Sequence, residues 1–148
     1  MNRKRFLSTL LAAPFAVAGA VASSPHRVVV YKDPTCGCCG KWAEHLRAND
    51  FAVEVQEVND TADNSRRLGV PSKLRGCHTA VVEGYSIEGH VPAVDIHRLL
   101  RERPEAKGLS VPGMPVGSPG MEGGQRQAYS VLLFGTDGKT SVFQHHPA

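Results

Sequence analysis

Three cysteines in four residues, Cys36-Gly37-Cys38-Cys39, lie between a run patterned as a strand and a segment patterned as a helix. This placement limits the chain more than any other feature. Arg27 to Tyr31 reads Arg-Val-Val-Val-Tyr, a β-branched and aromatic run too short for a helix and suited to a buried strand. After Gly40, Trp42, Ala43 and Leu46 recur at helical spacing, with Lys41, Glu44, Arg47 and Asn49 on the wet side, so a helix is expected from just after the cysteines to Asn49 or Asp50. Phe51 to Val58 alternates Phe/Val/Val against Ala/Glu/Gln and predicts a second strand. Together these segments make a β-α-β unit with thiols at its first turn.

The remaining pattern extends that unit. Asn59 and Asp60 are good caps for a short polar helix ending at Leu68-Gly69, and Val70-Pro71 follows as a break. Cys77 to Glu83 predicts a strand, Gly84 a turn and Tyr85 to Glu88 its hairpin partner. Ala93 to Arg103, bounded by Pro92 and Pro104, predicts a helix of about three turns. Leu109 to Gln127 is rich in Gly, Pro, Met and Ser without periodicity, and is expected to be a long loop. Tyr129 to Phe134, the turn at Gly135-Thr136-Asp137-Gly138, and Lys139 to Gln144 predict a terminal hairpin. The expected fold class is α/β and thioredoxin-like: a mixed central sheet flanked by helices, with a C-terminal β-hairpin and a long Gly/Pro/Met loop. Pro71 is a candidate for the cis-proline that faces the cysteines in such folds.

Arg3, Lys4 and Arg5 precede an uncharged run from Phe6 to Ala22, which is the pattern of a signal peptide. Ala18, Ala20 and Ala22 offer overlapping cleavage sites. The domain is therefore expected to span 23–148, exported to a periplasm-type compartment, with residues 1–22 removed. The first three basic residues, followed by Phe6-Leu7, also look like a twin-arginine signal with a Lys substituted. Those three are the excess of Lys and Arg (17) over Asp and Glu (14), so the remaining domain is neutral. A neutral domain argues against nucleic acid or an anionic membrane surface as a partner.

Four cysteines after an export signal would ordinarily suggest two disulfides. The spacing resists that. A vicinal bond between Cys38 and Cys39 is strained and a C-x-C ring is tight, so one of the three clustered thiols is left over or paired elsewhere. At a helix N-terminus, free amides and the macrodipole stabilise thiolates for redox exchange or for metal binding. Several thiolates within one turn need a cation, and thiolates select Cu(I), Zn or iron-sulfur clusters. Zinc prefers two separated ligand pairs, which adjacent Cys38-Cys39 does not offer. An iron-sulfur cluster fits poorly with export as an apoprotein. Cysteines bridging several Cu(I) ions face no such restriction on ligand spacing.

Other candidates surround the motif. Cys77, at the start of a predicted central strand, is expected to reach the first loop as a fourth thiolate. His78 is either a further ligand or a residue of the opposite strand face. His90, beside Val91-Pro92, is either a ligand or a hydrogen-bonded structural histidine. Met114 and Met121 are the only methionines beyond residue 22, and both sit in the Gly/Pro loop. Each is a soft thioether ligand for copper or an apolar pin for the loop. His45 and His97 are expected to be packed or solvated within helices, His145 and His146 to form an exposed tail, and His26 to have no role.

These segments resemble the CopG-type periplasmic copper-resistance proteins. The resemblance rests on Lys32-Asp33-Pro34 before Cys36-Gly37-Cys38-Cys39, then Gly69-Val70-Pro71, Cys77-His78-Thr79-Ala80, Tyr85 with Glu88-Gly89-His90-Val91-Pro92, Gly113-Met114-Pro115, Gly117-Ser118-Pro119-Gly120-Met121-Glu122 and Val131-Leu132-Leu133-Phe134. Ala128, where a Pro often precedes the Tyr, and Gly76, where a hydroxyl residue is common, depart from the pattern. The resemblance implies a thioredoxin-type fold that holds a cysteine-bridged cluster of several copper ions, with Cys36, Cys38, Cys39 and Cys77 as thiolates, in a protein that handles excess copper. The expected metal set is therefore Cys36, Cys38, Cys39, Cys77, His78, His90, Met114 and Met121. The expected cofactor is copper, as several Cu(I) ions, serving copper resistance by sequestration, relay or redox conversion. Copper ions and other periplasmic copper-handling proteins are the expected partners, with no nucleic acid and no membrane after signal cleavage; copper oxidoreductase activity stays open. Two rivals remain. One is a thiol-disulfide oxidoreductase with Cys36 as nucleophile and Cys39 as resolving thiol, in which Cys38 would compete. The other is a disulfide-stapled interaction domain.

Overall fold

The computed structural model describes residues 23–148, so the signal peptide expected at 1–22 lies outside the described residues. Strand β1 (His26–Lys32) leads into helix α1 (Gly37–Arg47) and strand β2 (Phe51–Glu57). Helix α2 (Thr61–Arg67) and a 3-10 turn at Ser72–Leu74 precede the hairpin β3 (His78–Val82) and β4 (Tyr85–Glu88). Helix α3 (Ala93–Glu102), strand β5 (Gly108–Ser110) and the hairpin β6 (Tyr129–Phe134) and β7 (Thr140–His146) complete the chain. The seven strands form one mixed sheet in the order β2-β1-β3-β4-β5-β6-β7. β1 runs parallel to β2 and antiparallel to β3, β4 pairs parallel with β5, and the remaining neighbours are antiparallel.

Residues opposite one another on neighbouring strands share a sheet face. Val28 pairs with Val82 and Val82 with Tyr85, while Val30 pairs with Ala80, Ala80 with Ile87 and Ile87 with Leu109. This face is packed by α1 and α3. In α1 the buried residues Cys39, Trp42, Ala43 and Leu46 follow the i, i+3, i+4, i+7 spacing of a single stripe. In α3, Ala93, Ile96, Leu99 and Leu100, at i, i+3, i+6 and i+7, form another such stripe. The other face carries a smaller cluster of Val70, Leu74 and Phe134, packed by Leu132. None of the helices in the described residues is long and apolar enough to cross a membrane.

The helix ends follow local chemistry. Asp60 caps α2 by accepting the Asp63 amide at 2.8 Å, as its sequence position predicts. The N-terminus of α3 has no side-chain cap of its own from Pro92, and His45 of α1 supplies one from outside by accepting the Ala93 amide at 3.0 Å.

Four expectations need correction. Helix α1 starts at Gly37, not after Gly40, so Cys38 and Cys39 lie in its first turn. The stretch from Leu109 is not loop throughout: Gly108–Ser110 is a strand, held by β4 on one side and β6 on the other. His145 and His146 are not a free tail, because β7 runs through them. His146 donates to the buried carboxylate of Asp95 at 2.7 Å and stacks on Tyr129, with ring centroids 4.8 Å apart. Pro71 does not follow a cis bond; every peptide bond among the described residues is trans.

Candidate metal centre

The β1–α1 connection is organised before any thiol is considered. The Asp33 carboxylate accepts the Thr35 hydroxyl at 2.5 Å and the Thr35 amide at 2.7 Å, and these bonds hold it below its ordinary pKa. The Cys36 amide donates to the Asp33 carbonyl at 3.1 Å, which turns the chain into α1 with Cys36 as the extended N-cap residue. The first turn of α1 contains no acidic residue, so its free amides and positive dipole end face the sulfurs without local opposition.

Cys77 arrives from the other side of the sheet order. In the β1–β3 register Lys32 pairs with His78, which places Cys77 just beyond the end of β1 and beside the first turn of α1. The sulfur atoms of Cys36, Cys38, Cys39 and Cys77 all lie within 4.8 Å of one another. Cys36 and Cys39 are joined as a disulfide, and Cys38 and Cys77 are free. The Cys77 sulfur is 3.6 Å from that of Cys39 and 4.0 Å from that of Cys38, while the Cys36 and Cys38 sulfurs are 3.5 Å apart. Burial, reinforced by the neighbouring Cys38, pushes the Cys77 thiol up to about 12.

Two imidazoles adjoin the sulfurs. His90 Nε2 lies 3.1 Å and His78 Nδ1 3.4 Å from the Cys77 sulfur, and Cys77, His78 and His90 form a second group whose ligand atoms lie within 4.8 Å of each other. His78 does not face away from the site: its ring is buried against Trp42, with centroids 4.4 Å apart, and edge-on to His90 at 5.2 Å. Burial is the main reason its pKa falls to about 3, so it is neutral at physiological pH. Burial also lowers His90, although the Pro119 carbonyl bound to its ring opposes this.

The Gly/Pro loop closes on this pocket through Pro119-Gly120. His90 Nδ1 donates to the Pro119 carbonyl at 2.7 Å, and the Glu122 carboxylate accepts the Gly120 amide at 2.8 Å. Gly120 has φ +87°, and a Cβ there would stand 2.8 Å from the Cys38 carbonyl oxygen and 3.0 Å from the Trp42 amide nitrogen. Gly120→Ala therefore adds backbone strain to a clash with rigid helix backbone, and is expected to cost about 2 kcal/mol or more. Thermal unfolding with limited proteolysis of the 113–127 loop checks this. Met121, half-buried, follows Gly120 directly, whereas Met114 is 52 % exposed.

The pocket also depends on a residue not foreseen as functional. Glu88 is 1 % exposed and accepts the Gly76 amide at 2.7 Å, the Thr79 hydroxyl at 2.6 Å and the Ser65 hydroxyl at 3.3 Å. It thereby ties α2 and the segment leading into Cys77 to the sheet. Its opposite neighbour on β3 is Thr79, a polar cross-strand pair that was visible in sequence only once the hairpin register was known. Burial raises its pKa despite these donors. A raised folded-state pKa means stability present at low pH and lost as pH rises through that value. The stability of the native protein is therefore expected to gain on that of Glu88→Gln as pH falls from 7 toward 4, while Glu88→Ala strands three donors and costs about 1–3 kcal/mol near pH 7, a margin that also widens as pH falls. Urea unfolding across this pH range measures both.

Two solved structures match this fold and this chain. A "Copper resistance protein copG- Form 1" is 46% identical with TM-score 0.79, over 84% of this chain and 99% of its own. This chain belongs to the CopG family. A second, "Copper resistance protein copG- Form 2", is 47% identical with TM-score 0.79, over 83% of this chain and 99% of its own. Among curated proteins none matches. A family model described as a protein of unknown function, DUF411, matches residues 74–121. Within the CopG-family chain that segment runs from the 3-10 turn through Cys77, His78, Glu88 and His90 to Met121, and leaves the Cys36–Cys39 motif outside it. The two halves of the pocket thus come from different parts of the sequence.

Proposed function

We propose that the chain is exported, loses residues 1–22, and binds several Cu(I) ions in the periplasm through the thiolates of Cys36, Cys38, Cys39 and Cys77. In this reading its role in copper resistance is to sequester copper, relay it to other periplasmic copper-handling proteins or change its oxidation state. The β2-β1-β3-β4 part of the sheet then serves as a thioredoxin-like frame with the cysteines at its β1–α1 junction. One observation carries the reading: four sulfurs from two distant segments converge within 4.8 Å, at a helix start without acidic residues. Thiolates so crowded repel one another until a soft cation neutralises them, and Cu(I) accepts bridging thiolates in small numbers per ion. His78 and His90 border that pocket as candidate accessory ligands, Met121, next to Gly120 in sequence, is a further candidate, and Met114, more exposed, is proposed only for transient contact.

The disulfide sets the order of events. Exchange with an external dithiol, which is oxidised to its own disulfide, supplies the two electrons and two protons that convert the Cys36–Cys39 bond into two thiols, after which all four sulfurs are available. The reduced protein, titrated anaerobically with Cu(I), is expected to hold more than one copper per chain and Cys36→Ser fewer. One copper or less in the reduced native protein would defeat the cluster reading.

The same disulfide favours a second reading, a thiol-disulfide oxidoreductase in which Cys36 and Cys39 cycle. The Cys77 sulfur, 3.6 Å from Cys39, is a competing resolving thiol. Reduction of insulin disulfides by metal-free protein, merely inhibited by copper, would support it.

A further inference from the structure

The seven histidines differ sharply in what holds their rings. His45 caps the Ala93 amide, His97 donates to the Asn49 carbonyl, His26 pairs with Glu83, His145 meets the Ser130 hydroxyl and His146 pairs with Asp95. Each is accounted for by an ordinary hydrogen bond. His78 is not. Its Nδ1 lies 3.4 Å from the Cys77 sulfur, and its Nε2 is buried with no hydrogen-bond partner among the described residues. A fully buried ring without a conventional partner calls for an ion or a water. His90 is held at both ring nitrogens, Nδ1 by the loop and Nε2 by the Cys77 thiol, whose proton a metal ion would displace. Donation from Nδ1 to the Pro119 carbonyl sets the tautomer, which leaves the Nε2 lone pair directed at the pocket, 3.1 Å from the Cys77 sulfur.

The geometry points to a mixed-donor site, Cys77-His78-His90, that shares Cys77 with the sulfur cluster and holds one copper ion while the Cys36–Cys39 disulfide is closed. None of its three donors takes part in the disulfide. Two imidazoles with one thiolate suit copper in either oxidation state, whereas an all-sulfur set suits Cu(I). The chain thus carries one copper when oxidised and several when reduced, so the redox state of the Cys36–Cys39 pair sets its copper capacity. Cys77 belongs to both groups, so the oxidised-state ion occupies the edge of the larger cluster. The inference rests on the copper reading above for the choice of ion.

The test uses disulfide-intact protein, titrated anaerobically with Cu(I) supplied as its acetonitrile complex without thiol reductant. Metal content is measured after desalting, and X-ray absorption identifies the donors. One copper per chain with both nitrogen and sulfur donors is expected. Its affinity should fall at least tenfold in His90→Ala and in His78→Ala, while the Cys36→Ser/Cys39→Ser double variant keeps a one-copper nitrogen-containing site. No retained copper, or one copper with an all-sulfur shell, would overturn the site; the absorption measurement on native protein decides even if a histidine variant folds poorly. Titration of reduced protein tests the cluster reading separately: more than one copper there, with none in the oxidised form, would sink this inference alone.

Discussion

Cys77→Ser is expected to remove more bound copper than any other single substitution, leaving the reduced protein with one Cu(I) or less and the oxidised protein with none. Cys77 is the one residue common to the four-sulfur group and to the group with His78 and His90. Serine has nearly the same shape but presents a hard, neutral oxygen that binds Cu(I) poorly. Cys38 and the disulfide pair stay in place at the start of α1, yet lose the sulfur that arrives from the segment just before β3. Stability should change little, within about 1 kcal/mol, because the half-buried side chain is replaced without a cavity. Metal analysis of the reduced and oxidised forms, beside urea unfolding of both proteins without metal, separates lost binding from lost folding. A Cys77→Ser protein that folds normally and still holds several copper ions would overturn the role given to Cys77.

Trp42→Ala has the largest expected effect on stability, about 3–5 kcal/mol. The indole is fully buried in the α1 stripe and packs on the ring of His78, and its Nε1 donates to the Val91 carbonyl at 2.8 Å. Truncation leaves a large cavity beneath the proposed metal pocket and an unpaired carbonyl in the turn between His90 and α3. The loss should also loosen both imidazoles, so copper retained by variant protein that remains folded is expected to exchange faster. Trp42→Phe keeps most of the packing and removes the hydrogen bond, which isolates a loss of about 1 kcal/mol plus any packing change. Urea unfolding of the metal-free proteins measures both, and a Trp42→Ala loss under about 1 kcal/mol would show that the indole is not part of the cooperative core.

Much of the frame was legible in the sequence because its signals are local. The Val-Val-Val run before the cysteines, the Trp42-Leu46 spacing after them and the Pro92 and Pro104 brackets of α3 each state their element within a few residues. Strand β5 was not legible for the same reason. Gly-Leu-Ser has no strand signature of its own, and only pairing with β4 and β6 makes it a strand. His146 looked like a free tail because the carboxylate that receives it, Asp95, lies on a different element. Glu88 looked like any strand glutamate until α2 and the approach to Cys77 folded over it.

The pocket divides along the same line. Crowding of Cys36, Cys38 and Cys39 follows from covalent spacing and helix geometry, so the sequence by itself determined that three sulfurs would gather at the head of α1. That three sulfurs become four, with two imidazoles beside them, was decided by the tertiary structure. The antiparallel register of β1 and β3 sets His78 opposite Lys32 and so delivers Cys77 to the first turn of α1, and the Pro119-Gly120 loop turns His90 toward it. Strand register and loop closure are long-range properties, fixed by which faces bury together and where a glycine lets backbones approach, and no local pattern encodes them.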